Sequence, residues 1–188
     1  VWKQLKREGF TVARCTVARL MADMGLRGVV RGRKCRTTIP DEMSLRPPDL
    51  VDRTFTAERP NQLWVADITY LPTQEKCAYL SLVTDAYSRK IVGYHVHNSL
   101  HTAEVSRALK MALKGRAGGG PLIHHSDRGI QYCSSEYQAI HRRHGVTCSM
   151  TDGYDCYQNA LAERVNGILK NEFLLQRPAN LDQARQMV

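Results

Sequence analysis

The sequence has no apolar run near the length of about eighteen residues that a membrane span requires, and its start lacks the apolar stretch of a secretory signal. A membrane role is therefore not expected, and the chain reads as soluble and intracellular. It also has no Cys-x-x-Cys pair. Its six cysteines (Cys15, Cys35, Cys77, Cys133, Cys148 and Cys156) are scattered, which argues against a disulfide framework or a zinc ribbon and for reduced thiols that mostly pack. Negative charge is scarce: 18 Asp and Glu stand against 27 Lys and Arg, a formal net charge of +9. The composition is not that of a disordered chain, since 43% of its 188 residues are hydrophobic, enough for one core and a small module.

The positive excess is uneven. Residues 1 to 57 hold twelve Lys or Arg against six Asp or Glu, whereas residues 58 to 188 hold fifteen against twelve. A concentrated basic segment points to a polyanionic partner, because Lys and Arg gain affinity for nucleic acid by displacing counterions. Within it, Val1 to Glu8 reads as the end of a longer helix. Ala13 to Met24 reads as a second helix, with Val17, Leu20, Met21 and Met24 at helical spacing and Gly25 as its stop. Two short helices around a turn, the second with Arg14 and Arg19 off its apolar stripe, suggest a helix-turn-helix. Arg31, Arg33, Lys34 and Arg36 then form a basic arm suited to phosphate contact, which closes a first segment over residues 1–38. Residues 39–57, with Pro40, Pro47 and Pro48, have the composition of an extended linker, and the main domain is expected over residues 58–188, continuing past Val188.

That domain reads as three strands with short connections (Gln62 to Tyr70, Ala78 to Asp85, Ile91 to His97), a helix from Thr102 to Leu113, a strand at Leu122, a helix from Ser134 to His144 and a strand from Val146 to Met150. A last helix covers Gln158 to Glu172. Its Leu161, Val165, Ile168 and Leu169 lie opposite Asn159, Glu163, Asn166 and Lys170, so two amides, a carboxylate and an ammonium share one face. Asp67 interrupts a strand that looks buried on both sides, where a carboxylate is costly unless a cation meets it. Asp127 ends a short strand. Brought together, Asp67, Asp127 and Glu163 would form an all-oxygen cluster suited to Mg²⁺ or Mn²⁺. Asp85, at a strand end before a turn, reads as structural. His124, His125, His141 and His144 lack zinc-ligand spacing and read as solvated or phosphate-facing. Thr151 to Tyr157 reads as a mobile loop ahead of the last helix.

Trp64-Val65-Ala66-Asp67-Ile68-Thr69-Tyr70, His124-His125-Ser126-Asp127-Arg128-Gly129 and Asn159-Ala160-Leu161-Ala162-Glu163, followed by Leu169-Lys170-Asn171-Glu172, resemble the three acidic motifs of the DDE transposase and retroviral integrase superfamily. The wording is most similar to bacterial insertion-element transposases, and the spacing from Asp127 to Glu163 and on to Lys170 matches theirs. Gln158 departs from the pattern, since many relatives carry Asp there; it is not a ligand. The resemblance implies a ribonuclease-H-like α/β core, a mixed five-stranded sheet flanked by helices, with the first and fourth strands adjacent and the two Asp side by side. It further implies cleavage at element ends and strand transfer, with two metal ions held by Asp67, Asp127 and Glu163 and with Asn159 and Lys170 on the DNA. DNA as partner, a homo-oligomer on it, and a bacterial cytoplasmic setting complete the expectation. A ribonuclease-H-type or structure-specific nuclease would share the fold and metals without joining ends, and a non-catalytic DNA-binding regulator would leave the three acids unexplained.

Overall fold

Strand β1 (Leu63–Pro72) is the centre of the sheet. In the computed structural model, which describes residues 1–26, 47–152, 156–173 and 177–188, it pairs antiparallel with β2 (Cys77–Asp85) on one side and parallel with β4 (Leu122–Ser126) on the other. Strand β3 (Ile91–His97) extends the sheet beyond β2, and β5 (Val146–Met150) extends it beyond β4, giving the order β3-β2-β1-β4-β5. The chain divides into two units, Val1–Met43 and Ser44–Val188.

The first unit holds α1 (Trp2–Arg7) and α2 (Arg14–Asp23). The Trp2 indole N–H donates to the Val12 carbonyl at 2.9 Å and so ties α1 to the residues leading into α2. Gly25 takes a left-handed φ of 69° just past α2, where a residue with a Cβ would be strained. Of the expected apolar stripe only Val17 is buried; Leu20 and Met24 are exposed. The basic arm, with Arg31, Arg33, Lys34 and Arg36, lies outside the described residues.

In the second unit, α3 (Thr102–Lys114), α4 (Ile130–Cys133) and α5 (Ser135–Arg143) cover one face of the sheet. Trp64, Ala66, Val83, Val105, Leu109, Tyr132, Tyr137 and Met150 interleave there. The close seating of α3 on β3 depends on Gly93, where a Cβ would fall 2.1 Å from the Ala108 carbonyl oxygen. The other face carries α6 (Ala160–Ile168) and α7 (Leu181–Met187), with Leu71, Leu80, Leu82, Val96 and Ala184 packed between sheet and helices. Covered on both faces, β1 can be apolar almost throughout, as its sequence suggested.

Three local features depart from sequence expectation. The helix expected from Gln158 to Glu172 is a 3₁₀ turn (Cys156–Asn159), the α-helix α6, and a π-helical turn (Leu169–Phe173). Short α4 was not anticipated. Residues 47–57, whose Pro47 and Pro48 suit an extended linker, are part of the packed second unit: Val51, Phe55 and Ala57 pack with Leu63, Ala86 and Leu161. The Met150 N–H also donates to the Pro48 carbonyl. Among the described residues no helix is long and apolar enough to cross a membrane, and the described cysteines Cys15, Cys77, Cys133 and Cys148 are unbridged thiols, the first two exposed.

Candidate active site

The parallel pairing of β1 with β4 ends at Ala66 opposite Ser126. The next residues on the two strands are Asp67 and Asp127, so the sheet register sets them side by side. Asp67 is only partly exposed and its carboxyl is pushed up to about 7 from the ordinary 3.8. Burial is the main cause, the charge of Asp127 the second, and Glu163 adds a smaller push. Two donors oppose the rise: Asn166 Nδ2 reaches Asp67 Oδ2 at 2.7 Å, and the Ile68 N–H reaches Oδ1 at 2.8 Å. They do not overcome it. The site thus holds a carboxylate whose charge the protein alone does not compensate.

Asp127 sits in a tight turn in which its Oδ1 accepts the Gly129 N–H at 2.9 Å. Glu163 is half-buried on α6, whose N-cap is Asn159. The face of α6 turned to the sheet carries Asn159, Ala162 and Asn166, all buried. Asn159 Nδ2 donates to the Ala66 carbonyl at 3.3 Å, which pins the helix start to β1 beside Asp67. Neither Asn159 Oδ1 nor Asn166 Oδ1 finds a hydrogen-bond donor although both are buried. Among the described residues no three His, Cys, Asp or Glu side chains converge tightly enough to grip one metal ion. Mutual repulsion is reason enough for bare carboxylates to stand apart.

Asp67 thus feels the charges of both Asp127 and Glu163 without the three closing on one point, with Asn166 bonded to its carboxyl and Asn159 bonded to the preceding Ala66 carbonyl. Lys170 follows, half-buried, in the π-helical turn rather than in phase with α6. Arg14 and Arg19 are exposed on α2 in the other unit. Asn166 was placed by the sequence only on the polar face; its direct bond to Asp67 was signalled by its position three residues after Glu163.

The histidines differ from expectation. His124, His125 and His141 are not solvated but buried, at 0%, 0% and 2% exposure, and only His144 is exposed as expected. Because β4 is covered on both faces, its consecutive side chains both enter the core, one on each side. His124 meets His141 at a tilt of 47° with ring centroids 4.6 Å apart, and His141 meets Tyr137 edge-on, one helical turn away, at 5.2 Å. Burial holds the His124 imidazole well below the usual range and brings His141 down to about 4, so both stay neutral. Asp85 is structural as read: its carboxylate accepts from the Asn61 N–H at 2.9 Å and from the Ser88 N–H and hydroxyl at 2.8 and 2.6 Å.

Residues 57–156 match the family described as Integrase core domain, residues 144–188 a second family of the same description, and residues 1–34 the HTH-like domain. A transposase for insertion sequence element IS629 from Shigella sonnei is 48% identical over 170 residues, 90% of this chain and 57% of that protein. Transposase InsF for insertion sequence IS3A from Escherichia coli K12 is 35% identical over 169 residues, again 90% of this chain and 59% of the relative. The chain thus spans less than two thirds of these relatives. Among solved structures, the HTLV-2 integrase catalytic core domain in complex with magnesium (trimeric form) superposes with a TM-score of 0.55 at 21% identity, covering 70% of this chain and 85% of that one. A simian T-cell lymphotropic virus intasome in complex with PP2A regulatory subunit B56 gamma gives 0.59 at 21% identity, over 78% of this chain and 53% of that one. At such identities the likeness speaks for the fold alone, and it is the mixed five-stranded, ribonuclease-H-like fold expected from the motifs.

Proposed function

Because the chain belongs to the integrase-core family and carries an HTH-like unit ahead of that core, we propose that it cuts DNA at the ends of an insertion element and transfers the freed 3′ ends to a target duplex. The observation that carries the proposal is the placement of Asp67, within β1, beside Asp127, just past the end of the adjacent β4, with Asp67 raised to about 7 and Glu163 on α6 near enough to add to that rise. Such an arrangement costs free energy unless cations fill it.

The donor set suits a hard divalent metal, since it is all oxygen and is flanked by two buried amide oxygens without partners. Asp67, Asp127 and Glu163 would hold Mg²⁺ or Mn²⁺, as two ions. Bound there, the metal would ionise a water or 3′-hydroxyl and stabilise the departing 3′-oxygen. The chain's own groups supply the rest. Asn166 orients the Asp67 carboxylate through its 2.7 Å bond, Asn159 shapes the floor of the site, and Lys170 holds a phosphate near the scissile bond. Arg14 and Arg19, with Arg31, Arg33, Lys34 and Arg36, contact element DNA, chiefly its phosphates. Two ends are held together by an oligomer of the protein, in the bacterial cytoplasm where the DNA lies.

The test is an assay of purified protein with labelled element ends and Mg²⁺, scored separately for cleavage and for joining to a second duplex. Both products are expected. Cleavage without joining would indicate a nuclease, and neither product with DNA binding intact would indicate a regulator.

A further inference from the structure

We propose that His125 is a positioning residue for Glu163, fixing the entry to α6 against the sheet through a single tautomer of its imidazole. The proposal rests on the reading of Glu163 as an active-site acid. His125 is fully buried on β4, two residues before Asp127. Its Nε2 lies 2.8 Å from the Gln158 carbonyl oxygen, which can only accept, so Nε2 carries the proton. Nδ1 of the neutral ring is then an acceptor, and the Ser149 hydroxyl 2.8 Å away must donate to it. With its proton spent, Ser149 Oγ accepts the Leu50 N–H at 2.9 Å. Each donor in this run is used once, and every hydrogen bond points from residue 50 towards the helix.

The far end of the run matters for function. The Gln158 carbonyl immediately precedes the N-cap Asn159, whose own side chain is bonded to the Ala66 carbonyl of β1. The start of α6 is thereby pinned twice, to β4 through His125 and to β1 through Asn159, and Glu163 follows in the first turn. At the near end, Asp49 Oδ1 stands 3.9 Å from Nδ1, beyond hydrogen-bond reach, and already accepts the Val51 and Asp52 N–H groups at 2.8 and 3.0 Å. Phe55 closes the pocket with its ring centroid 6.1 Å from that of His125. The Leu50 N–H thus fills the accepting side of Ser149 Oγ and leaves its hydroxyl proton for Nδ1.

Two substitutions separate the two ring nitrogens. His125→Gln carries an amide N–H to the place of Nε2 and keeps the bond to Gln158, whereas His125→Asn reaches only the place of Nδ1 and keeps the bond to Ser149. His125→Asn is expected to slow single-turnover cleavage by about 10- to 100-fold with DNA affinity unchanged. His125→Gln recovers most of that rate. Hydrogen exchange gives a readout that needs no activity: the amides of Arg164, Val165 and Asn166, whose helical partners lie in the first turn, exchange faster in His125→Asn than in His125→Gln. Equal exchange and equal rate in the two variants would overturn the proposal. A parent protein without metal-dependent cleavage would instead sink the proposed function, while exchange would still decide the role of His125. If neither variant folds, nitrogen NMR of the parent decides: a proton on Nε2 supports the assignment, and a proton on Nδ1 overturns it.

Discussion

Asp67 and His141 are buried titratable groups whose contributions to stability run in opposite directions with pH. Folded Asp67 keeps its proton up to about pH 7 while the unfolded chain releases it near 3.8. Metal-free stability therefore falls as pH rises across that window, by up to about 4 kcal/mol. Folded His141 stays neutral down to about pH 4 while the unfolded chain takes up a proton near 6.5. Stability there falls as pH drops through the window, by about 3 kcal/mol. The two partly cancel in the parent, and single substitutions unmask them. Urea midpoints of Asp67→Asn between these pH values should drop more steeply on acidification than the parent's, and at neutral pH the metal-free variant should be the more stable of the two. His141→Phe should flatten the acid-side loss and also relieve two buried ring nitrogens that have no partner. Parallel pH profiles in all three proteins would refute the assignment. The acids were legible because a carboxylate among Trp64, Val65, Ala66 and Ile68 needs a reason. His124 and His125 were not, because a polar residue in a doubly covered strand looks like a surface residue until its two neighbours in space are known.

At the scale of elements, β3 and α3 meet through Gly93, and Gly93→Ala should cost on the order of 2 kcal/mol or more, since the strand or the helix backbone must move. A denaturation midpoint within error of the parent would mean the two elements yield easily. The order and type of strands and helices were legible from alternation and helical spacing, and the adjacency of β1 and β4 followed from the motifs. The breaks around α6 were not, because the apolar spacing of Leu161, Val165, Ile168 and Leu169 runs unbroken from the α-helix into the π-helical turn. The packing of residues 47–57 was also hidden. Prolines disfavour regular structure, but Val51 and Phe55 can still be buried by an irregular segment whose backbone is bonded to β5.

At the scale of the molecule, charge and chemistry are divided between the two units. The unit Val1–Met43 carries ten Lys or Arg against four Asp or Glu. Deleting it, while keeping Val51 and Phe55 in place, should weaken DNA binding and flatten its salt dependence, with a log-log slope lower by about 0.9 for each phosphate that the shortened protein no longer neutralises. An unchanged slope would put the DNA on the other unit alone. The account as a whole stands on the three acids holding metal, and the measurement closest to that claim is a melting temperature followed through a Mg²⁺ or Mn²⁺ titration, without DNA, in the parent and in Asp67→Asn, Asp127→Asn and Glu163→Gln. Metal should raise the melting temperature of the parent by mass action and leave the three folded variants nearly unmoved. A parent indifferent to metal, or variants that respond as it does, would contradict the account.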